Sequence, residues 1–380
     1  MRKLYYLLLT GFIAAGCSGN HLKVVRINRT IDSLTAVFRP DPRTAVFSVS
    51  VEKNDNGFII RGETDNPEAK AALLSRLSQE IDEAIIDSLR VLPEPSLGSS
   101  VFGIVDVSVG NVRTVPKSQA ELASQVLLGH VVRILKKTHG WYYVKSEDDY
   151  HGWIESGNVV TVDSSALAEY AATRKLIVTP AFSRVTLLPR DAGGTVSDLA
   201  MANLLMPIGV NGADFRVRLP DGRIGYVPRS AAEYYDTYLA THRPTPAGIE
   251  AVAKEMLGFP YLWGGTSSKA MDCSGFTKTV FRMNGIDLPR DASQQVNVGK
   301  DIQPGPNFEN LKTGDLLFFG EKAENGKPEK IVHVAIYLRD GYFIQASDRV
   351  RISGLLQTDT AFDQYDLDRF VRAKRILPTN

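Results

Sequence analysis

Cys273, His333 and Gln345 are the residues whose types and order could carry covalent catalysis. A thiol attacks a carbonyl only as thiolate, so it needs a base, usually an imidazole, and the imidazole needs a third group that holds it in one tautomer. Cys273 lies in Asp272-Cys273-Ser274-Gly275-Phe276 and is one of only two cysteines in 380 residues. The other, Cys17, ends an apolar N-terminal stretch and has a different job, so Cys273 is either an inert core residue or a working thiol. Of six histidines, only His333 falls within an expected core strand of the same region. Gln345 would accept from the ring nitrogen that does not face the thiol.

The elements that must position these groups are readable. Asp272 is a good cap, and Phe276, Val280 and Met283 have helical spacing, so Cys273 is expected at a helix start, where the thiol pKa falls. Gly264-Gly265 would let backbone pass close to a substrate. Strands are expected at 315–320, 332–338, 342–346 and 370–376, with 321–330 an exposed loop. Asp340-Gly341 is a hairpin signal that brings Gln345 beside His333. A helix at 247–257 follows the proline-spaced linker 241–246, and helices first with a sheet after is the order of an α+β domain. Taken singly, each residue has an ordinary alternative: a structural thiol, a satisfied core histidine, a polar strand residue. Together they favour catalysis.

Arg2 and Lys3 precede the apolar run Leu4–Ala15, and Ala14-Ala15-Gly16-Cys17 supplies small residues before a cleavage point. Residues 1–16 thus read as a signal peptide, and the stretch is short of the ~20 residues that span a bilayer. Its removal takes Arg2 and Lys3 and moves the formal net charge from +1 to −1. A near-neutral chain has no electrostatic footprint for nucleic acid. Residues 17–30 read as a tether. A small α+β module is expected at 31–97, with strands at 43–51 and 58–62 and a helix opened by Asn66-Pro67 whose apolar face is Ala69, Leu73, Leu77, Ile81 and Ile85. An internal repeat follows: Val115-Pro116 recurs as Leu188-Pro189, and Gly152-Trp153-Ile154 as Gly225-Tyr226-Val227, both 73 residues on. The histidines show no metal-ligand spacing, and no cofactor is expected.

Pro260-Tyr261-Leu262-Trp263-Gly264-Gly265, the Cys273 motif, Leu288-Pro289-Arg290-Asp291-Ala292-Ser293-Gln294, Gly314 to Phe319 and His333 to Leu338 resemble successive motifs of the NlpC family of papain-like cell-wall cysteine peptidases over about 245–378. The resemblance implies Cys273 as nucleophile, His333 as base, Gln345 where the family has a polar third residue, Tyr261 near the thiol and the Cys273 N–H for the oxyanion. The start of the chain resembles a bacterial lipoprotein signal, with Cys17 acylated, and 31–97 resembles BON-like envelope modules. The expected fold is α+β: a papain-like peptidase domain at 240–380 preceded by that module and two SH3-like β-barrels at 98–162 and 165–235. Such barrels resemble a subgroup that cuts γ-D-glutamyl–diamino acid bonds of peptidoglycan stem peptides bearing a free N-terminal L-alanine. This implies Glu121, Tyr150 and Asp272 for the amine, Ser274 and Ser293 as donors, Asp291 beside them and Trp263 as a wall. The chain would be a monomer, lipid-anchored in the cell envelope and facing the periplasm. A noncatalytic wall-binding protein and an amidase or acyltransferase with the same triad remain alternatives, because a triad does not define the leaving group.

Overall fold

A computed structural model describes residues 12–378 apart from 325, with side chains from residue 20 onward. The expected signal segment is described only from residue 12, and the Cys17 side chain lies outside the described residues. The chain divides into two compact units, 1–98 and 99–380.

In the first unit, α1 (Phe12–Phe38) runs through the stretch expected as a tether. Ile27, Ile31 and Leu34 recur at helical spacing and are buried. They pack with Leu73 and Leu77 of α2 (Pro67–Glu80) and Phe47, Phe58 and Ile60 of β1 (Phe47–Asn54) and β2 (Gly57–Thr64). Asn66 caps α2 by accepting from the Glu68 and Ala69 N–H groups at 2.8 and 3.2 Å. Ile85, expected on the helix face, instead starts β3 (Ile85–Val91), which pairs parallel to β2.

The second unit begins with two seven-stranded sheets. The first holds β4 (Phe102–Val105), β5 (Val109–Arg113), β6 (Leu122–Leu127), β7 (Val131–Thr138), β8 (Trp141–Lys145), β9 (His151–Glu155) and β10 (Val159–Val162), in the order β10-β4-β7-β8-β9-β5-β6. After α3 (Ser164–Ala172), the second holds β11 (Leu176–Val178), β12 (Phe182–Leu188), β13 (Ala192–Ala200), β14 (Leu204–Asn211), β15 (Asp214–Arg218), β16 (Ile224–Pro228) and β17 (Ala232–Tyr234), in the order β17-β11-β14-β15-β16-β12-β13. The orders are identical under the 73-residue offset: β7 and β14 begin at 131 and 204, β8 and β15 at 141 and 214. The equivalent glycines meet equivalent neighbours, since a Cβ on Gly152 would lie 2.4 Å from Val112 Cγ1 and one on Gly225 2.4 Å from Val185 Cγ1.

Neither sheet is the barrel expected from the sequence. Each order is open, and its terminal strands, β10 and β6 or β17 and β13, are not hydrogen-bonded to each other. In the first sheet the β6 edge is taken by a different partner: Thr266 N–H donates to Gln125 Oε1 and Thr266 Oγ1 to Gln125 O, both at 3.0 Å.

The sheet modules lead through α4 (Tyr235–Thr241) to α5 (Pro246–Glu255), which starts within the expected linker on a Thr245 cap. A short hairpin, β18 (Thr266–Ser267) and β19 (Ala270–Met271), precedes α6 (Cys273–Arg282) and α7 (Ala292–Gln295). The remaining elements are β20 (Lys300–Ile302), β21 (Leu316–Glu321), β22 (Lys330–Tyr337), β23 (Tyr342–Ala346), β24 (Val350–Gly354), α8 (Gln364–Arg369) and β25 (Phe370–Arg375). The strands form a six-stranded sheet, β20-β25-β21-β22-β23-β24. Phe276, Val280 and Phe281 of α6 pack on one face with Leu316, Phe318, Val334 and Ile336, while Phe308, Leu311 and Leu367 cover the other. The β22–β23 turn has Asp340 and Gly341 at φ 52° and 83°, with Tyr342 N–H donating to Arg339 O at 2.8 Å, the two-residue turn that matches strand twist.

Candidate active site

Asp272 has extended backbone and accepts from the Gly275 N–H at 2.7 Å, so α6 opens on Cys273. Its close seat against the preceding turn requires Gly275, because a Cβ there would lie 2.0 Å from Gly265 O. Cys273 is 7 % exposed, and the backbone N–H groups of Val334 and Ser274 act to lower its thiol pKa. Behind it, β22 and β23 pair only at Ile336↔Ile344 and Tyr337↔Phe343. Nearer His333 the strands part.

Gln345 bridges the parted strands. Its amide nitrogen donates to Asp366 Oδ2 at 2.7 Å and to Ser353 Oγ at 3.0 Å. Its carbonyl is therefore the end that faces His333 Nε2, at 2.6 Å. The ring proton is then on Nε2, and Nδ1 is the nitrogen left to receive the thiol proton. Phe319 backs the imidazole, with ring centroids 5.6 Å apart.

Burial lowers the His333 pKa below its ordinary value, partly offset by Asp366 and the Gln345 bond. Burial and then Asp272 push the Cys273 thiol up to about 12, against the opposing pull of the Val334 N–H, Arg290 and the Ser274 N–H. The depression expected from a helix start is thus present as a contribution and outweighed. Tyr261 is half-buried, with its N–H on Asp348 O at 3.1 Å. Burial raises its phenol, and Cys273 is the next cause.

The expected substrate residues gather around Arg290, which is 1 % exposed. Asp272 Oδ1 accepts from Gly275 N–H, Arg290 Nη1 (3.1 Å) and Ser274 Oγ (3.2 Å), while Oδ2 accepts from Arg290 Nη2 (2.6 Å) and Gly264 N–H (2.9 Å). A carboxylate offers roughly four lone-pair positions, so these partners fill Asp272 and give it a structural task. From the first sheet, Glu121 Oε1 accepts from Trp263 Nε1 at 2.8 Å, and the Tyr150 hydroxyl donates to Asp291 Oδ2 at 3.1 Å. Gly264 (φ 80°) allows this approach: a Cβ there would lie 2.1 Å from Leu122 O. The glycine pair therefore admits protein backbone, where substrate was expected. Ser293 is half-buried in α7, which packs against β22. Asp366, Ser353 and Arg290 were not singled out from the sequence. Only Arg290 had a signal, its place in a quoted motif. Among the described residues, no His, Cys, Asp and Glu side chains gather into a metal-binding group, and no helix is long and apolar enough to cross a membrane.

Comparison with known proteins agrees with this layout. Residues 258–375 match the NlpC/P60 family, and 112–159 match the bacterial dipeptidyl-peptidase SH3 domain. A γ-D-glutamyl-L-lysine dipeptidyl-peptidase of Bacillus cereus is 27 % identical over 268 residues, which is 68 % of this chain and 76 % of the relative. One of the same name from Bacillus subtilis is 28 % identical over 252 residues, 64 % of this chain and 78 % of the relative. The crystal structure of an NlpC/P60 family protein from Bacillus cereus shares the fold, with a TM-score of 0.63 at 24 % identity over 73 % of this chain and 100 % of that one.

Proposed function

From the premise that residues 258–375 form an NlpC/P60-family cysteine hydrolase domain, we propose that the chain hydrolyses the γ-D-glutamyl–diamino acid bond of peptidoglycan stem peptides with a free N-terminal L-alanine. One observation carries this reading. Glu121 and Tyr150 reach Trp263 and Asp291 in the domain that holds Cys273, His333 and Gln345, which supports a role for the Glu121 carboxylate in receiving an ammonium. The relatives named γ-D-glutamyl-L-lysine dipeptidyl-peptidases support the bond assignment.

The pKa shifts favour a neutral thiol beside a neutral imidazole. The proton accordingly passes to His333 Nδ1 as the sulfur attacks the γ-carbonyl carbon, and not before. The Cys273 N–H, in the first turn of α6 and so without an intrahelical acceptor, donates to the oxyanion. Collapse expels the diamino acid amine, which takes the proton from His333, and water hydrolyses the thioester with His333 again as base.

Intact wall, whose alanine is amide-linked, is then a poor substrate, and the enzyme trims released fragments in wall recycling. Acylation of Cys17 would hold it at an envelope membrane; labelled fatty acid should enter wild type and not Cys17→Ser. Mass spectrometry of L-Ala-γ-D-Glu-L-Lys digests tests the main reading. The expected products are L-Ala-γ-D-Glu and lysine, with none from Cys273→Ala. Turnover by that variant, or products cut elsewhere, would overturn it.

A further inference from the structure

We propose that Asp366 is a positioning residue of this peptidase: through Gln345 it fixes the tautomer of His333 and supplies the negative charge against which the imidazolium forms. The proposal rests on Cys273 and His333 being nucleophile and base.

A glutamine is a neutral third member, and its amide can turn over, offering His333 either an acceptor or a donor. A carboxylate accepts and cannot donate. With Asp366 Oδ2 on Gln345 Nε2 at 2.7 Å, the carbonyl must point to His333. Ser353 reinforces this, since its oxygen also accepts from Arg351 Nη1 at 2.7 Å and Gln345 Nε2 at 3.0 Å. Every group around Asp366 fits that role. From α8, Arg369 lies 4.0 Å away, too far for a close pair, and Asp363 Oδ1 accepts the Asp366 N–H at 3.2 Å. Arg351 and Ser353 come from β24, Gln345 from β23 and His333 from β22. Asp366 is 4 % exposed, and its pKa is raised, by burial first and also by Asp363, against the pull of Gln345, His333 and Arg369. A buried carboxylate is unfavourable unless something uses its charge; asparagine would fill the same space.

The charge matters at one step. The S–H bond breaks, its proton goes to Nδ1, the sulfur pair forms the C–S bond, and the carbonyl π pair moves to oxygen. His333 then carries a full charge, which a neutral amide orients but does not offset. Asp366, one link behind, offsets it.

Asp366→Asn should fold with an unchanged melting temperature and lose about 10- to 100-fold in kcat, the range for one charge ~7 Å away at an effective dielectric of about 20. KM on the tripeptide should hold. Moving the charge forward in Gln345→Glu/Asp366→Asn should restore most of the loss, which a packing role would not. Iodoacetamide alkylation of Cys273 should fall and recover in parallel without any substrate, so a wild type that ignores the tripeptide yet shows this response overturns the substrate reading and supports the role of Asp366. Nitrogen-15 spectra of wild type should show His333 protonated on Nε2. A ring protonated on Nδ1, wild-type kcat in folded Asp366→Asn, or a loss that the charge transfer leaves in place would each overturn the proposal.

Discussion

The two β copies share strand order, offset and glycine placement, yet they meet the peptidase domain differently. Each meets the turn before α6, but through different groups. Its β6 edge runs along Thr266 and Gly264, and Glu121 and Tyr150 reach Trp263 and Asp291. At the offset positions the second copy has Gly194 and Arg223. Its attachment is to the β18–β19 turn, where Ser268 Oγ accepts from Met201 N–H at 3.2 Å and Lys269 pairs with Asp198. The first copy is also tied to α6 by charge. His130 Nδ1 lies 2.8 Å from Glu147, which is near Arg282, and Lys278 pairs with Asp148 at 3.2 Å. The second copy has neutral Asn203 in place of His130, donating to Ser108 O at 2.9 Å. Duplication supplies a scaffold twice, and Glu121 and Tyr150 of the first copy have no like residues at the offset positions of the second.

The largest way to break this contrast is at Glu121. Glu121→Gln should lower kcat/KM on free-amine peptides by roughly 10- to 100-fold, since a charge-assisted contact contributes about 1.5–3 kcal/mol. Arg223→Gln at the offset position should leave it unchanged, although it removes the partner of buried Asp106. Equal effects on kcat/KM would erase the distinction. A smaller effect separates stability from activity. Gly152→Ala and Gly225→Ala meet the same 2.4 Å clash and should each cost about 1–3 kcal/mol in denaturant melts. Only the first should also depress turnover, because it displaces the strand beside Tyr150.

The smallest effect is acid sensitivity. Burial pushes the Glu147 pKa up, but His130 and Arg282 outweigh it and hold the carboxyl down at about 2. A depressed carboxyl contributes stability in full above its unfolded value, about 4.5, and that share is lost as pH falls toward 2. Two of the three tryptophans, Trp141 and Trp153, lie in the first copy and none in the second. Indole fluorescence should therefore report loosening between about pH 4.5 and 2, and Glu147→Gln should remove the step. An unchanged titration in that variant would place the acid response elsewhere.

The helix start at Cys273 and the His333–Gln345 contact were legible because the Asp272 cap marks the one and the Asp340-Gly341 turn dictates which strands pair for the other. Asp366 was not, since a short helix after an irregular loop carries no periodic signal and its contact with Gln345 spans 21 residues. Asp272 was legible as a cap, but the Arg290 pair that fills its carboxylate depends on tertiary approach. The helix through 17–30 went unread because its buried stripe continues past that window to Ile31 and Leu34. Barrel closure failed for a related reason: strand count and turns do not say which edge meets which, and the β6 edge was claimed by Thr266 of another domain.

β22 and β23 part before Val334, and the Val334 backbone N–H acts to lower the Cys273 thiol pKa. Its proton resonance is therefore a built-in label for the state of the Cys273 sulfur. It should move when the sulfur is acylated or alkylated and return when the thioester is hydrolysed, so one peak would follow each turnover without a reporter group in the cleft.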